Sequence, residues 1–461
     1  MLDYDMSQRG SESLYEYLYQ RVREDILSGA IAGNERLPSK RTFADHLGVS
    51  VITVENAYDQ LVAEGYVYAR PRRGFYASKL PGVTGASRSV GECVDRDAPA
   101  ALAEPSTLQA NPAAPAPLSQ TALDAARMWQ RTLRSTMASE SEAELFAPAP
   151  AQGTERLRRA IASHLRGTRG MNVDPANIVV GAGAQLLDTM LVQLFGRNLT
   201  YAVEDPGYLR LTRIYQACGC QVRHTPLDAE GPVLAELSDR SVDVLHLMPS
   251  HQFPTGRVTS IARRYALLSW AAAAPGRYLI EDDYDCEFRL AGKPIPPLAA
   301  IDAGERVIYT NTFSKSLSSA LRLAYMVLPP ALMERFHSEL GFYSSTVSSV
   351  DQIALARLLE SGEYERHVAR VRKRARDVRD ALRDALGEIH VGGRLTMEEA
   401  DAGLHCVLSV ESALDEVELA RRASANGIPA RPLSEFAWCP QNAAAADGRR
   451  RLIVSYEDLS I

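Results

Sequence analysis

The sequence predicts an α/β protein: a small winged helix-turn-helix module, then a larger domain on a mostly parallel central sheet, then a smaller C-terminal lobe. Three observations carry this reading. Near the N-terminus, two short capped helical segments joined by a glycine turn are followed by a strand-turn-strand hairpin. Further on, short apolar runs alternate with amphipathic helical stretches, the pattern of strands covered on both faces by helices. A long charged helix around ERHVARVRKRARDVRDALRDAL then leads into the last lobe.

The chain has 461 residues, 46% hydrophobic and 23% charged, which is ordinary for a globular protein of two or three domains. A net charge of -6 excludes a broadly basic nucleic-acid coat but leaves room for a small DNA-binding module. Cys93, Cys218, Cys220, Cys286, Cys406 and Cys439 show neither a C-x-x-C pair nor zinc spacing; they read as reduced thiols, and no metal site is expected. The N-terminus lacks a signal-peptide pattern, and no run approaches the roughly 20 apolar residues of a membrane span. A cytoplasmic protein without a membrane partner is expected.

The first element lies in SESLYEYLYQRVREDILSGAI, where Leu14, Leu18, Val22 and Ile26 form one helical stripe ending near Gly29. In LPSKRTFADHLGVSVITVENAYDQLVAEGY, Ser39 caps a helix through Leu47, Gly48 makes the turn, and Ser50 caps a second helix to about Glu64. The strands YVYAR and GFYAS flank Pro71-Arg72-Arg73-Gly74, a wing tip with two arginines. On double-stranded DNA, short polar residues at the start of the second helix, Ser50 and Thr53, reach base edges while Lys40, Arg41, Arg72 and Arg73 neutralise phosphates. Ser39 and Gly74 complete the candidate DNA-binding set. Residues 1–78 thus form the DNA-binding domain. Residues 79–120, rich in Ala, Pro and Ser, bury too little apolar area to order themselves and read as a flexible linker.

Residues 121–461 carry the strand candidates NIVV, LTYAVED, VDVLHL, RYLIED and RVIYTNT, within a large part of about 150–345 and a small lobe of about 346–461. Lys315 sits among serines between two short buried strands, where an amine is positioned rather than waving in solvent. A lysine whose pKa is lowered forms Schiff bases with carbonyls. If the carbonyl belongs to pyridoxal phosphate, the chain also needs phosphate donors, a partner for the ring nitrogen and a stacking group.

Each is present. GAGAQLLDTM follows a strand and opens a helix, so backbone N–H groups near Gly183 and Ala184 point at an anion, and Arg322 adds a charge-assisted pair. A dinucleotide fingerprint fails because Leu186 stands where its third glycine belongs. RYLIEDDYDCEF puts acids at the C-terminal end of an apolar strand, where open parallel sheets bind ligands; a calcium loop fails because Phe288 and Pro294 replace its glycine and glutamate. Tyr208 follows an Asp-Pro-Gly turn, and His251 and Gln252 occupy a similar strand-to-loop position.

The N-terminal module resembles the GntR family of winged helix-turn-helix domains, with Val51 where those domains usually carry arginine. The larger region resembles the fold-type I aminotransferases, and the whole chain is similar to MocR/GabR-type transcriptional regulators. That resemblance implies a pyridoxal phosphate-dependent transferase fold of type I. It assigns Lys315 to the internal aldimine, Asp282 to the pyridine nitrogen and Tyr284 to the ring hydroxyl. Tyr208 lies by the ring, while Gly183, Ala184, Gln185, Ser314 and Arg322 hold the phosphate. Phe253 replaces the asparagine of an NPTG motif, leaving His251 or Gln252 to take its hydrogen bond. Arg210 and Arg431 match positions that grip an effector carboxylate. Ordinary aminotransferases carry that arginine on the last strand, where Ile453 stands here. The expected protein is a head-to-tail homodimer that binds operator DNA and senses an amino acid or related amine by aldimine exchange. A working aminotransferase with a fused DNA module, and a purely DNA-binding protein, are the alternatives.

Overall fold

The computed structural model describes residues 2, 4–9, 13–70, 73–79, 119–239, 241–292, 295–388, 395–443 and 448–459. The expected linker falls almost wholly outside them, as does Arg72. The chain divides into two compact units: Met1–Ser87 with Thr259–Trp270 and Gly292–Ile295, and the remainder.

In the first unit, α1 (Leu14–Ser28) starts where the Glu16 carboxylate takes the Ser13 hydroxyl at 2.7 Å and its N–H at 3.4 Å, and stops at Gly29, whose φ is 79°. The helix α2 (Lys40–Leu47) is capped by Ser39, which accepts the Thr42 N–H at 3.2 Å; α3 (Val51–Ala63) is capped by Ser50, which accepts the Thr53 N–H at 3.1 Å. Leu18, Val22, Phe43, Val54, Tyr58 and Leu61 are fully buried between these helices. Each contributes about 1.5–3 kcal/mol. The strands β1 (Val67–Arg70) and β2 (Gly74–Ala77) pair antiparallel from Val67 against Ala77 to Arg70 against Gly74, which makes the expected wing.

The second unit opens with α4 (Gln120–Ser139), α5 (Glu142–Phe146) and α6 (Glu155–Arg169). Its eight-stranded sheet runs in the order β3 (Ile178–Gly181), β10 (Ala324–Val327), β9 (Val307–Thr312), β8 (Tyr278–Asp282), β7 (Val244–Leu247), β4 (Thr200–Asp205), β5 (Gln221–Asp228), β6 (Gly231–Pro232). The central strands β9, β8, β7, β4 and β5 are parallel; β10 runs against both β3 and β9, and β6 against β5. Alternation along each strand feeds two cores. Val180, Tyr309 and Tyr325 join α6 and the later helices on one face; Val179, Ile308 and Met326 join α7 (Ala184–Phe195) on the other. The helix α8 (Leu209–Ala217) follows β4.

The small lobe carries an antiparallel sheet in the order β11 (Leu395–Glu398), β12 (His405–Val410), β14 (Arg450–Ser455), β13 (Ala430–Pro432). Before it runs the helix Glu363–Glu388, whose Tyr364, His367, Val368, Val371, Ala375 and Val378 recur every three or four residues as its buried stripe. Cys218, Cys220, Cys286 and Cys406 are free thiols. No helix among the described residues is long and apolar enough to cross a membrane.

Candidate cofactor site and DNA-binding module

The parallel strands end at one edge of the sheet, and the turns leaving them assemble the site. After β9, residues 313–317 form the turn that carries Lys315, whose side chain is 47% exposed and whose Nζ lies 3.7 Å from Glu457 Oε2. The turn is held from below by the long helix: the Tyr364 hydroxyl bonds Ser316 Oγ at 2.8 Å, and His367 Nε2 lies 2.8 Å from the Ser316 carbonyl. Ser314 Oγ is 2.7 Å from Thr312 Oγ1. A clamped backbone that presents a half-exposed amine is what a covalent anchor requires.

The junction after β3 brings Gly183 and Arg322 together. Gly183, at φ 91°, precedes α7, whose first residues are Ala184 and Gln185. A Cβ on Gly183 would lie 2.1 Å from Arg322 Nη2 and 2.5 Å from its Cζ, so only glycine lets the guanidinium lie against this helix N-terminus. Arg322 itself sits in the left-handed region at φ 53°, behind the short helical turn Ser319–Leu321. Nearby, Ala182 N–H donates to Thr346 Oγ1 at 3.1 Å.

Asp282 ends β8, with His246 Nε2 of the adjacent β7 at 3.9 Å from its Oδ2. Burial alone would lower the His246 pKa, but Asp282, Asp188 and Glu204 outweigh it and the pKa is raised. Burial pushes Asp188 up to about 7, and Glu204 likewise to about 7. Tyr215 completes this buried network, its hydroxyl 2.7 Å from His246 Nδ1. The Tyr284 hydroxyl is 3.3 Å from His251 Nδ1, and burial raises its pKa well above the usual value.

His251 and Gln252 part company. His251 is buried, with Nδ1 2.7 Å from Asp285 Oδ2 and its ring 4.5 Å from that of His405, whose pKa burial drives well down. Gly403, at φ 68°, closes over this pair: a Cβ there would meet His251 Cε1 at 1.9 Å. His251, Asp285 and His405 are also grouped closely enough for metal ligation, which the sequence did not suggest. Gln252 is fully engaged, donating to the carbonyls of Pro206, in the turn after β4, and of Phe253 beside it, and accepting from Thr255 N and Oγ1. It shapes the loop, and its amide has no donor left for a cofactor, which corrects the expectation for this residue.

Tyr208 lies edge-on to Phe253 at 6.2 Å, with Arg210 6.0 Å above its ring. Phe436 packs on Phe253 at 5.0 Å and carries Arg431 4.4 Å above its ring. The two expected effector arginines therefore border one aromatic cluster. Arg431 stands directly across from Ile453 in the β13–β14 pairing, and it is bonded to Glu435 at 3.0 Å. Its guanidinium thus already has an acidic partner.

In the winged module, Arg41 and Arg73 are exposed. Gly74 has φ 102°, with the Arg36 guanidinium 3.6 Å from where its Cβ would stand. Four expected contact residues have partners within the module. Lys40 Nζ bonds Glu55 at 2.9 Å and Asp59 at 3.1 Å, so it ties α2 to α3 instead of standing free for phosphate. The Ser39 and Ser50 hydroxyls serve the helix caps, and Thr53 Oγ1 is 2.8 Å from Ser50 Oγ. His246, Asp188, Asp285, His405 and Glu457 were missed from sequence. A histidine inside the apolar run VDVLHL was the one legible sign.

Residues 123–449 match the family model for aminotransferase class I and II, and residues 14–77 that for the bacterial regulatory proteins of the gntR family. An HTH-type transcriptional regulator of Bacillus subtilis, YdeL, is 33% identical over 431 residues, covering 91% of this chain and 89% of the relative. The probable rhizopine catabolism regulatory protein MocR of Rhizobium meliloti is 32% identical, covering 94% and 89%; the pyridoxine biosynthesis regulator PdxR of Corynebacterium glutamicum is 32% identical, covering 88% and 85%. Among solved structures, a kynurenine aminotransferase of Pyrococcus horikoshii superposes with TM-score 0.61 at 23% identity, over 72% of this chain and 82% of that one. That likeness shows the fold-type I aminotransferase architecture. The chain belongs to the MocR-type transcriptional regulators, in which a DNA-binding GntR helix-turn-helix domain is joined to an aminotransferase class I and II domain.

Proposed function

We propose that the protein is a cytoplasmic, homodimeric regulator that binds pyridoxal 5'-phosphate at Lys315 and reads an amino acid or related amine through it, changing its hold on operator DNA. The observation that carries this is the pairing of a clamped turn presenting the Lys315 amine with a helix N-terminus against which only glycine admits Arg322. The donor set fits the cofactor: a cationic cradle suits a phosphate, and an acid at a strand end suits a pyridine nitrogen. When bound, the cofactor supplies an aldehyde carbon that captures primary amines.

The chain's own residues do the rest. Arg322 and the α7 N-terminus hold the phosphate. Asp282 would hold the ring nitrogen, with His246 Nε2 3.9 Å from its carboxylate. Tyr284 would serve the ring hydroxyl and Tyr208 would flank the ring, while Arg210 and Arg431 would receive an effector carboxylate. An amine that competes with Lys315 removes the lysine's tether, and the difference in contacts between the two states is the energy available for signalling.

The test is a spectral titration of the full chain with pyridoxal phosphate, then with a panel of amines, with DNA binding measured in parallel for wild type and Lys315→Ala. Visible absorbance that amines perturb, lost in Lys315→Ala, is expected. Wild type with no cofactor-dependent absorbance would refute the reading. Turnover of an amino donor with a keto acid at an enzymatic rate would replace it with an aminotransferase. One relative is named for pyridoxine biosynthesis, which favours a second reading in which the cofactor itself is the signal. Under it, pyridoxal phosphate alone changes DNA binding and amines do not.

A further inference from the structure

The face of α3 opposite its buried residues carries Ile52, Asn56 and Asp59, each one turn from the last. Ile52 is 66% exposed and Val51 beside it 40%, at the first turn of the helix that follows the helix-turn-helix bend. Asn56 is exposed, with no hydrogen-bond partner among the described residues. The hydroxyls that would otherwise read bases here are consumed by the caps, and Lys40 is held by Glu55 and Asp59.

The charges fix which end of the helix approaches DNA. Glu55 and Asp59 lie one and two turns in, and their two charges exceed the one that Lys40 supplies. The start of α3, by contrast, has the positive end of the helix dipole, with the exposed Arg41 on α2. A polyanion is therefore met first by the turn that bears Val51 and Ile52; Asn56, one turn on, shares that exposed face, where Glu55 and Asp59 are already paired with Lys40.

In the major groove only thymine presents a methyl group, and only adenine matches an asparagine amide with adjacent acceptor and donor. We propose that this module reads A·T pairs: Ile52, flanked by Val51, seats against thymine C5-methyl groups, and Asn56, one turn on, pairs with an adenine. The proposal rests on the DNA-binding reading of the module.

The test starts from selection of duplexes from a randomised library by the full chain. Each thymine of the selected site is then replaced by deoxyuridine, which removes only the methyl. Wild type should weaken about fourfold at each contacted thymine, the effect expected for losing one buried methyl-sized group. Ile52→Ala should bind thymine and deoxyuridine duplexes alike, and Asn56→Ala should lose about tenfold or more at one adenine. Deoxyuridine duplexes that bind wild type as tightly as thymine ones would overturn the proposal while leaving DNA binding intact. So would an Ile52→Ala loss that is equal for both. Failure to enrich any duplex would overturn the DNA-binding reading itself. The deoxyuridine comparison uses unaltered protein, so it does not depend on any variant folding.

Discussion

Replacing Gly183 by alanine sets two separable effects against each other. The backbone at φ 91°, ψ 157° is a region that side chains with a Cβ essentially do not enter, so alanine costs about 1–3 kcal/mol of stability whether or not a ligand is present. The new methyl also occupies the space of the Arg322 guanidinium, whose Nη2 would be 2.1 Å away, so the arginine must leave. Losing a hydrogen bond from a charged donor costs about 1.5–3 kcal/mol, or roughly a 10- to 150-fold weaker hold on a phosphate. Arg322→Ala should show the same binding loss without the backbone penalty. Arg322→Gly should also bind weakly yet be stabilised by about 1 kcal/mol, because Arg322 occupies the left-handed region. The assay is equilibrium binding of pyridoxal phosphate and, as a control, of pyridoxal, alongside thermal unfolding of the unliganded proteins. Both Gly183→Ala and Arg322→Ala should narrow the preference for the phosphorylated form, and the double variant should lose little more than either single one. If Gly183→Ala binds pyridoxal phosphate within about twofold of wild type, or if the two losses multiply, the cradle does not work through this contact.

Arg169 and Asp283 form a buried pair at 2.7 Å, so Arg169→Met leaves an uncompensated carboxylate and should cost about 3–5 kcal/mol in the unfolding midpoint; an unchanged midpoint would show the pair to be dispensable. Asp188 and Glu204 have folded pKa values of about 7, well above their ordinary ones, so the folded state holds protons that the unfolded state releases. Their contribution to stability is greatest at acid pH and falls as pH rises from about 4 to about 7; the raised His246 pKa acts in the same direction, its contribution lost as pH rises through the folded value. Asp188→Asn should flatten that slope in unfolding midpoints measured across the range. In DNA titrations at several salt concentrations, Arg41→Ala should reduce the log–log slope by about 1, whereas Lys40→Ala should leave it unchanged and cost under about 1 kcal/mol of stability. A reduced slope for Lys40→Ala would mean that the lysine leaves its acidic partners on binding.

The local elements were written plainly in the chain. Ser39, Gly48 and Ser50 marked the turn of the first module almost to the residue, because caps and left-handed turns act over three or four positions that a reader sees together. Lys315, Gly183 and Asp282 were legible for a similar reason: each sits where a strand gives way to a turn, and such junctions are where open sheets bind ligands. What escaped notice depended on long-range pairing. The β5 strand is half polar and was not recognised, and β10 looked like any buried strand, although it runs antiparallel on both sides. Gln252 appeared to be a ligand because its partner Pro206 lies 46 positions away and meets it only after folding. Lys40 seemed free because Glu55 and Asp59 lie 15 and 19 positions away.

The clasp that Lys40 makes across α2 and α3, with the Ser50 cap, bears on the thermodynamics of docking. A reading helix that frays in solution must be ordered when it enters the groove, and that lost entropy is subtracted from every contact made. Here the helix is already tied at its first turn and braced along its side. Binding should therefore proceed with little coil-to-helix change, and the module should discriminate sequences by the fit of a rigid surface instead of by folding around them.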